Sequence, residues 1–475
     1  MLNEPNDALL ATLKSVVGDA GWMEPTDRYL TEMRGLYRGR AAIVLRPAST
    51  EEVAACVRLC AAARVAIVPW GGGTGLVGGQ VMPQGPVPVV LSLDRMRAIR
   101  AVIPQESAMI AEAGATVQAV QEAAADHGKL FPLSYASEGT ASIGGGLSTN
   151  AGGLIAVRYG VARDMCLGLE VVTPQGEIWN GLSTLRKDNT GYDLRDLYIG
   201  AEGTLGIICA AALKLVPRPV AKSTAFAVVR APQDAVDLLD AVQNASGGAV
   251  ATFELMARLS IDFVLAAHPA HREPVETVGA WYVLVELWGS DEEALDTALQ
   301  TCLADRLESG AVLDATLALN EGQRNDFRAL REAMSDAQKV SGGASIKHDI
   351  SLPISRIPEF LDVAGQAVVA GVPGARPCPF GHLGDGNLHY NISQPPGGDG
   401  AEFLGEWERV NGIVHDIVTS MNGSISAEHG IGRLKRHELA VHGDSIKLDL
   451  IRRIKKALDP DGIMNPGAVL EYDAD

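Results

Sequence analysis

Gly71-Gly72-Gly73-Thr74-Gly75-Leu76-Val77-Gly78-Gly79 is the stretch that decides the fold. Most of its positions lack a Cβ, so the backbone can take positive φ and turn several N–H groups toward one anion, which is the chemistry of a pyrophosphate cradle. Gly73, Gly75 and Gly78 also fit the GxGxxG dinucleotide fingerprint, but a true fingerprint opens a helix. Here Val81-Met82-Pro83-Gln84-Gly85-Pro86 follows, and its prolines and glycine forbid helical continuation. A doubly wound nucleotide fold is therefore disfavoured. The chain also has no Walker A sequence, which argues against a nucleoside triphosphatase.

About seventy residues on, Ser137 to Gly153 repeats the composition and adds serine and threonine hydroxyls. Two such loops can close on the two ends of one extended dinucleotide; the bland alternative is a pair of tight turns. Around them Ser49–Ala63 reads as a helix with Ser49 and Glu52 spaced as a capping box. Val65–Val68 reads as a strand, and Val117 to His127 as a helix closed by Gly128. Leu167–Val172 and Glu177–Trp179 flank a Pro-Gln-Gly turn. Pro217 and Pro219 mark the strongest boundary in the chain. Beyond them, extended Val275–Glu286 and helical Asp291–Glu308 and Ile354–Val369 suggest a second α+β domain over roughly 220–425, and the end of the chain carries a basic helical stretch, Lys447–Leu458.

Composition narrows the function classes. The 475 residues exceed one ordinary core, and 47% hydrophobic content is that of a packed globular chain. A formal charge of −18 makes nonspecific binding to nucleic acid or anionic lipid unfavourable. Six scattered cysteines, without CxxC spacing, indicate neither a zinc ribbon, an iron–sulfur cluster nor a disulfide framework. Cys56 and Cys60, four apart, read as small packed side chains. The first twenty residues have neither a long apolar core nor a basic bias, and no apolar run spans a bilayer, so the expected compartment is the cytoplasm.

Gly381-His382-Leu383-Gly384-Asp385-Gly386-Asn387-Leu388-His389-Tyr390-Asn391 carries the chemistry outside the glycine loops. Two imidazoles seven positions apart cannot face one side of a straight strand, but Gly384 and Gly386 permit a turn that brings them together. His389 and Asn391 would share a strand face. On these residues alone, a metal site and ordinary loop histidines both remain open.

Taken together, Pro69–Gly79, Pro132–Gly153, Arg158–Val172, Lys187–Gly206, Gly381–Asn391 and Ser426–Lys435 resemble, in order, the vanillyl-alcohol-oxidase-like FAD flavoproteins. The resemblance is to their D-2-hydroxy-acid dehydrogenase branch. It implies an α+β fold: a flavin domain of two α+β subdomains over residues 1–218, and a substrate domain with an antiparallel sheet over 219–425. A terminal segment, 426–475, would pack back near the flavin. It implies FAD contacts at Gly71, Gly72, Gly73, Thr74 and Gly75, then at Gly139, Thr140, Ile143, Gly144, Thr149, Asn150, Gly152 and Gly153, and finally at Glu202, Gly203, Gly206 and Ile207. Neither glycine cluster holds a histidine, so noncovalent FAD is expected.

The resemblance further implies metal ligation by His382, His389 and Glu428, with zinc as the first choice and manganese or iron served by the same ligands. His429 becomes the catalytic base, since an ordinary imidazole pKa of about 6.5 suits proton uptake near neutrality. Arg331, Ser335, Lys347 and Asn391 become substrate ligands; Arg331 and Ser335, four apart, would share a helical face. The implied reaction is oxidation of a small anionic 2-hydroxy acid of D configuration, with D-2-hydroxyglutarate going to 2-oxoglutarate. D-lactate, D-malate and glycolate are the alternative substrates, and a non-catalytic FAD-binding subunit is the alternative of another class. Electron-transfer flavoprotein or another soluble acceptor would reoxidise the flavin, and a homodimer is compatible with the chain.

Overall fold

The structure is a computed structural model and describes residues 1–471. The last four residues of the expected terminal segment, 472–475, lie outside the described residues. Contacts divide the chain into two compact units: residues 1–153, 160–218 and 428–475 form the first, and 154–159 with 219–427 the second. The cut after Arg218 falls between the two prolines of the sequence boundary.

The first unit holds two larger sheets with helices, and a two-stranded one that pairs Val216–Pro217 with Lys129–Leu130. A four-stranded sheet runs in the order Trp22–Met23, Ile43–Leu45, Val89–Ser92, Ile67–Trp70, with its last three strands parallel. The helix Thr50–Ala63 supplies the crossover between Ile43–Leu45 and Ile67–Trp70. Its Ser49 cap accepts from Glu52 N at 3.2 Å, while the Glu52 carboxylate reaches Ala48 N instead of closing a full capping box. The second sheet is antiparallel, in the order Ile99–Ile103, Ala108–Glu112, Ile207–Lys214, Cys166–Val172, Ile178–Gly181. The C-terminal segment adds to the edge of the first sheet: Ile67 N donates to Ile463 O and Asn465 N to Ile67 O, both at 2.8 Å.

The second unit is built on a seven-stranded sheet in the order Val312–Leu317, Ala221–Val229, Trp281–Gly289, Val250–Ala257, Phe380–His382, Asn387–His389, Asp349–Ser351. All of its pairings are antiparallel. One face packs Phe253 and Leu255 against the helices Pro232–Ala245, Glu292–Ser309, Ile357–Gly371 and Trp407–Ser420. The opposite face packs Phe226, Met256 and Phe380 against Arg258–Ala267, Glu321–Glu332 and Met334–Gly342. Because helices cover both faces, the central strands read as nearly continuous apolar runs instead of alternating ones. The period of two still decides which side each residue takes, and it puts Glu254 on the second face with Met256 and Phe380.

The segment Leu154–Tyr159, expected to stay with the flavin domain, belongs to the second unit instead. Arg158 donates to the carbonyls of Ala249, at 3.0 Å, and Trp288, and a Cβ on Gly384 would come within 2.9 Å of Val157. The six cysteines are free and buried, and burial pushes the Cys56 thiol up to about 12, so these thiols are packing groups and not reactive ones. Among the described residues no helix is long and apolar enough to cross a membrane.

Candidate functional site

The two glycine clusters meet in the first unit. A Cβ on Gly72 would lie 2.3 Å from the Thr140 carbonyl oxygen, and one on Gly71 would lie 2.6 Å from Ser142 Oγ. Only glycine lets the two backbones approach so closely. Gly71 to Gly75 remain half-buried and Gly139 and Thr140 exposed, so a ligand can reach their N–H groups. The second cluster is not wholly a loop: Ile143–Thr149 is helical, capped by Ser142, whose Oγ accepts from Gly145 N at 3.2 Å. Its glycines are there for proximity, since a Cβ on Gly144 would sit 2.7 Å from that of Ala113. Asn150 ends the helix in the left-handed region at φ 51° and its Oδ1 accepts from Arg163 N at 3.0 Å. Gly203 packs on Pro69 and Gly206 on Val172, bringing the third expected stretch, through Ile207, beside the same strands. Such a Cβ-free, solvent-accessible backbone cradle fits FAD.

Glu202 plays a different part from the flavin contact expected of it. Its carboxylate is buried and accepts from Ile431 N at 2.7 Å and Gly432 N at 2.8 Å, latching the C-terminal segment. Burial pushes this carboxyl up to about 7, although the two N–H donors favour its ionised form. A carboxyl with a higher pKa folded than unfolded gives its full stability below the unfolded value of about 4.3 and loses it as pH rises through the folded one. The melting temperature should therefore fall as pH rises from about 5 to about 8. Glu202→Gln should flatten that fall, and equal slopes in both proteins would remove Glu202 as its cause.

In the second unit the expected turn brings the histidines together. Phe380–His382 and Asn387–His389 form a hairpin with Phe380 opposite His389, so the side chains of 382 and 389 emerge on one face. Their ring centroids lie 5.4 Å apart at 78°. Gly386, at φ 85°, makes the turn, and a Cβ there would lie 2.3 Å from Leu352 O. Asn391 departs from the expected strand face: its N donates to His389 O at 3.0 Å, a tight bend that ends the strand. Its buried amide instead donates to Gln338 Oε1 at 3.0 Å.

Glu254, which sequence reasoning missed, organises this cluster. It faces His382 across adjacent strands, and its Oε1 lies 2.6 Å from His382 Nδ1. Its Oε2 accepts from Arg331 Nε, also at 2.6 Å. Burial pushes the Glu254 carboxyl up, but the neighbouring Arg331 and His382 outweigh that and hold it down to about 2. The one available signal was a lone acid within the apolar run Val250–Ala257, because a charge in a fully buried strand requires a partner. Arg331 and Ser335 do not share one helix, since Glu321–Glu332 ends and Met334–Gly342 begins around Ala333. Lys347 Nζ nevertheless donates to Ser335 O at 3.3 Å and to its Oγ at 3.4 Å, so those two side chains meet.

Glu428 and His429 lie in the first unit by their contacts. A Cβ on Gly152 would approach Glu428 Oε2 at 3.4 Å, which places Glu428 beside the second glycine cluster. An extended segment would point His429 away from Glu428. The chain bends here instead, with Gly430 at φ 80°, and His429 Nε2 lies 3.6 Å from Glu428 Oε1. The residue before them, Ala427, donates its N–H to Asp349 O at 3.4 Å, and Asp349 pairs with His389 across the second unit's sheet.

Two family models match the chain: an FAD binding domain over residues 41–181 and the C-terminal domain of FAD linked oxidases over 218–469. A mitochondrial D-2-hydroxyglutarate dehydrogenase of Arabidopsis thaliana is 36% identical, covering 97% of this chain and 81% of its own. A D-2-hydroxyglutarate dehydrogenase of Stutzerimonas stutzeri is 37% identical over 90% of each chain. Among solved structures, p-cresol methylhydroxylase with substrate bound superposes with a TM-score of 0.76 at 16% identity, covering 98% of this chain and 97% of that one, a likeness of fold alone. The cytoplasmic expectation does not stand, because the Arabidopsis relative is named as mitochondrial and the composition of residues 1–20 does not decide the compartment.

Proposed function

The chain belongs to the FAD-linked oxidase family, in its group of D-2-hydroxyglutarate dehydrogenases, and from that premise we propose how it oxidises D-2-hydroxyglutarate to 2-oxoglutarate. The observation that carries this reading is the buried constellation in which one carboxylate, Glu254, touches both His382 and Arg331. A pair of imidazoles at one end suits the hydroxyl and carboxylate around C2, through a metal. A guanidinium at the other suits a second, distal carboxylate.

We assign His382 and His389 as the imidazole donors of a divalent ion and, from membership of the family, Glu428 as the carboxylate of a His/His/carboxylate set. Zinc is our first assignment. When bound, FAD would supply the acceptor for the hydride from C2, and a divalent metal would supply a Lewis acid for the 2-hydroxyl. His429 accepts the hydroxyl proton. Arg331, Ser335 and Lys347 hold the distal carboxylate, the last two already in contact, and Asn391, whose amide donates to Gln338, is assigned to the substrate with them. FAD is held noncovalently, and its electrons leave through electron-transfer flavoprotein or another soluble acceptor.

Substrate length is tested by comparing D-2-hydroxyglutarate, D-malate and D-lactate on the wild type and on Arg331→Met. An ionic hydrogen bond contributes about 1.5–3 kcal/mol. The variant should thus lose about 10–100-fold in kcat/KM on D-2-hydroxyglutarate and stay within about threefold on D-lactate. Equal losses on both substrates would detach Arg331 from the distal carboxylate and return D-lactate or glycolate to consideration.

A further inference from the structure

No part of the Glu254 side chain reaches solvent, yet both of its oxygens are used. Oε1 faces His382 Nδ1. When that nitrogen carries the proton and donates, the imidazole lone pair stays on Nε2, the form in which the ring can ligate a metal. Oε2 accepts from Arg331 Nε, and the guanidinium also stacks on Phe380, with its carbon 4.8 Å from the ring centre. The two contacts fix the plane of the fork. Among the described residues, Arg331 Nη2 is then left buried with no hydrogen-bond partner. An unpaired, desolvated N–H group on a fixed cation costs free energy that an incoming anion would recover.

The sheet explains why one residue can serve both ends. Glu254 and His382 are direct partners in the register, and Met256 and Phe380 are partners two residues along. The helix that carries Arg331 packs on that same face. We propose that Glu254 is a positioning residue for both ends of the substrate site, holding the His382 ring for the metal and the Arg331 fork for the distal carboxylate. The proposal rests on the reading of His382 as a metal ligand given above. It goes further, because it makes metal affinity and preference for a dicarboxylate depend on the same side chain.

Glu254→Gln separates positioning from simple charge pairing. Both partners donate to the native carboxylate, whereas an amide offers one acceptor and one donor. If the amide oxygen keeps Arg331, its N–H₂ faces His382 Nδ1 and drives the ring to the tautomer protonated on Nε2, which cannot ligate through that atom. With FAD-loaded protein, zinc affinity measured by competition with a chromophoric chelator should fall about 10–100-fold. The preference for D-2-hydroxyglutarate over D-lactate should drop at least about tenfold, with flavin content unchanged. A variant that keeps both within about twofold of a zinc-binding wild type would overturn the proposal. A wild type that binds no divalent ion would overturn the metal reading itself, and the wild-type titration alone distinguishes that result. Should Glu254→Gln not fold, Glu254→Asp keeps the charge on an arm one carbon shorter that can reach only one partner. It should lose either zinc affinity or dicarboxylate preference, and the proposal fails if it loses neither.

Discussion

Replacing His429 with alanine is expected to lower turnover by about 10²–10⁴-fold while the purified variant keeps its flavin. The size follows from removing a positioned general base. The retained flavin follows from placement, since the glycine loops assigned to FAD, at residues 71–75 and 139–153, belong to other segments of the first unit. His429 suits the role because its side chain is 20% exposed, and the bend at residues 428–430 turns it toward the Glu428 carboxylate instead of away from it. Steady-state assays, with flavin absorbance recorded on the same samples, decide the matter. Wild-type-like turnover would remove His429 as the base. Loss of flavin would make its role structural.

The second large effect is metal removal. A Lewis acid at a developing alkoxide contributes several kcal/mol, which at about 1.36 kcal/mol per decade amounts to about 10³-fold or more. Dialysis against a strong chelator should therefore abolish turnover with flavin still bound, and added zinc should restore it. His389→Ala should show the same loss without rescue, because it removes one of the two imidazoles that the hairpin sets 5.4 Å apart. Metal analysis of the dialysed protein alongside its activity reads the outcome. Full turnover from protein free of divalent ions would contradict the assignment.

What could be read from the sequence was local chemistry. The glycine clusters, the turn at Gly386 and the break between Pro217 and Pro219 each announce themselves within a few residues, because glycine and proline act on their own backbone. Interactions across the fold left weaker marks. Glu254 meets partners 77 and 128 positions away, and nothing in the spacing of the chain connects them. The break at Ala333 carries neither proline nor glycine, so Arg331 and Ser335 kept a helical spacing on paper that two successive helices do not honour. Leu154–Tyr159 sits between two flavin-domain segments in sequence, and contacts across the fold, of Arg158 with Ala249 and Trp288 and of Val157 with Gly384, assign it to the second unit. The helix Ile143–Thr149 holds three consecutive glycines, each costing about 1 kcal/mol against alanine. Close approach, not helix propensity, accounts for them: a Cβ would meet Ala113 at Gly144, Ser142 Oγ at Gly145 and the Tyr135 hydroxyl at Gly146.

The central claim is that this chain transfers a hydride from a D-2-hydroxy dicarboxylate to its own FAD. Its most direct test is anaerobic stopped-flow mixing of the flavin-loaded protein with D- and L-2-hydroxyglutarate. Full bleaching of the flavin band is expected with the D enantiomer alone, with one 2-oxoglutarate formed per flavin reduced. A flavin that stays oxidised with D-2-hydroxyglutarate, or that bleaches equally with both enantiomers, would contradict it.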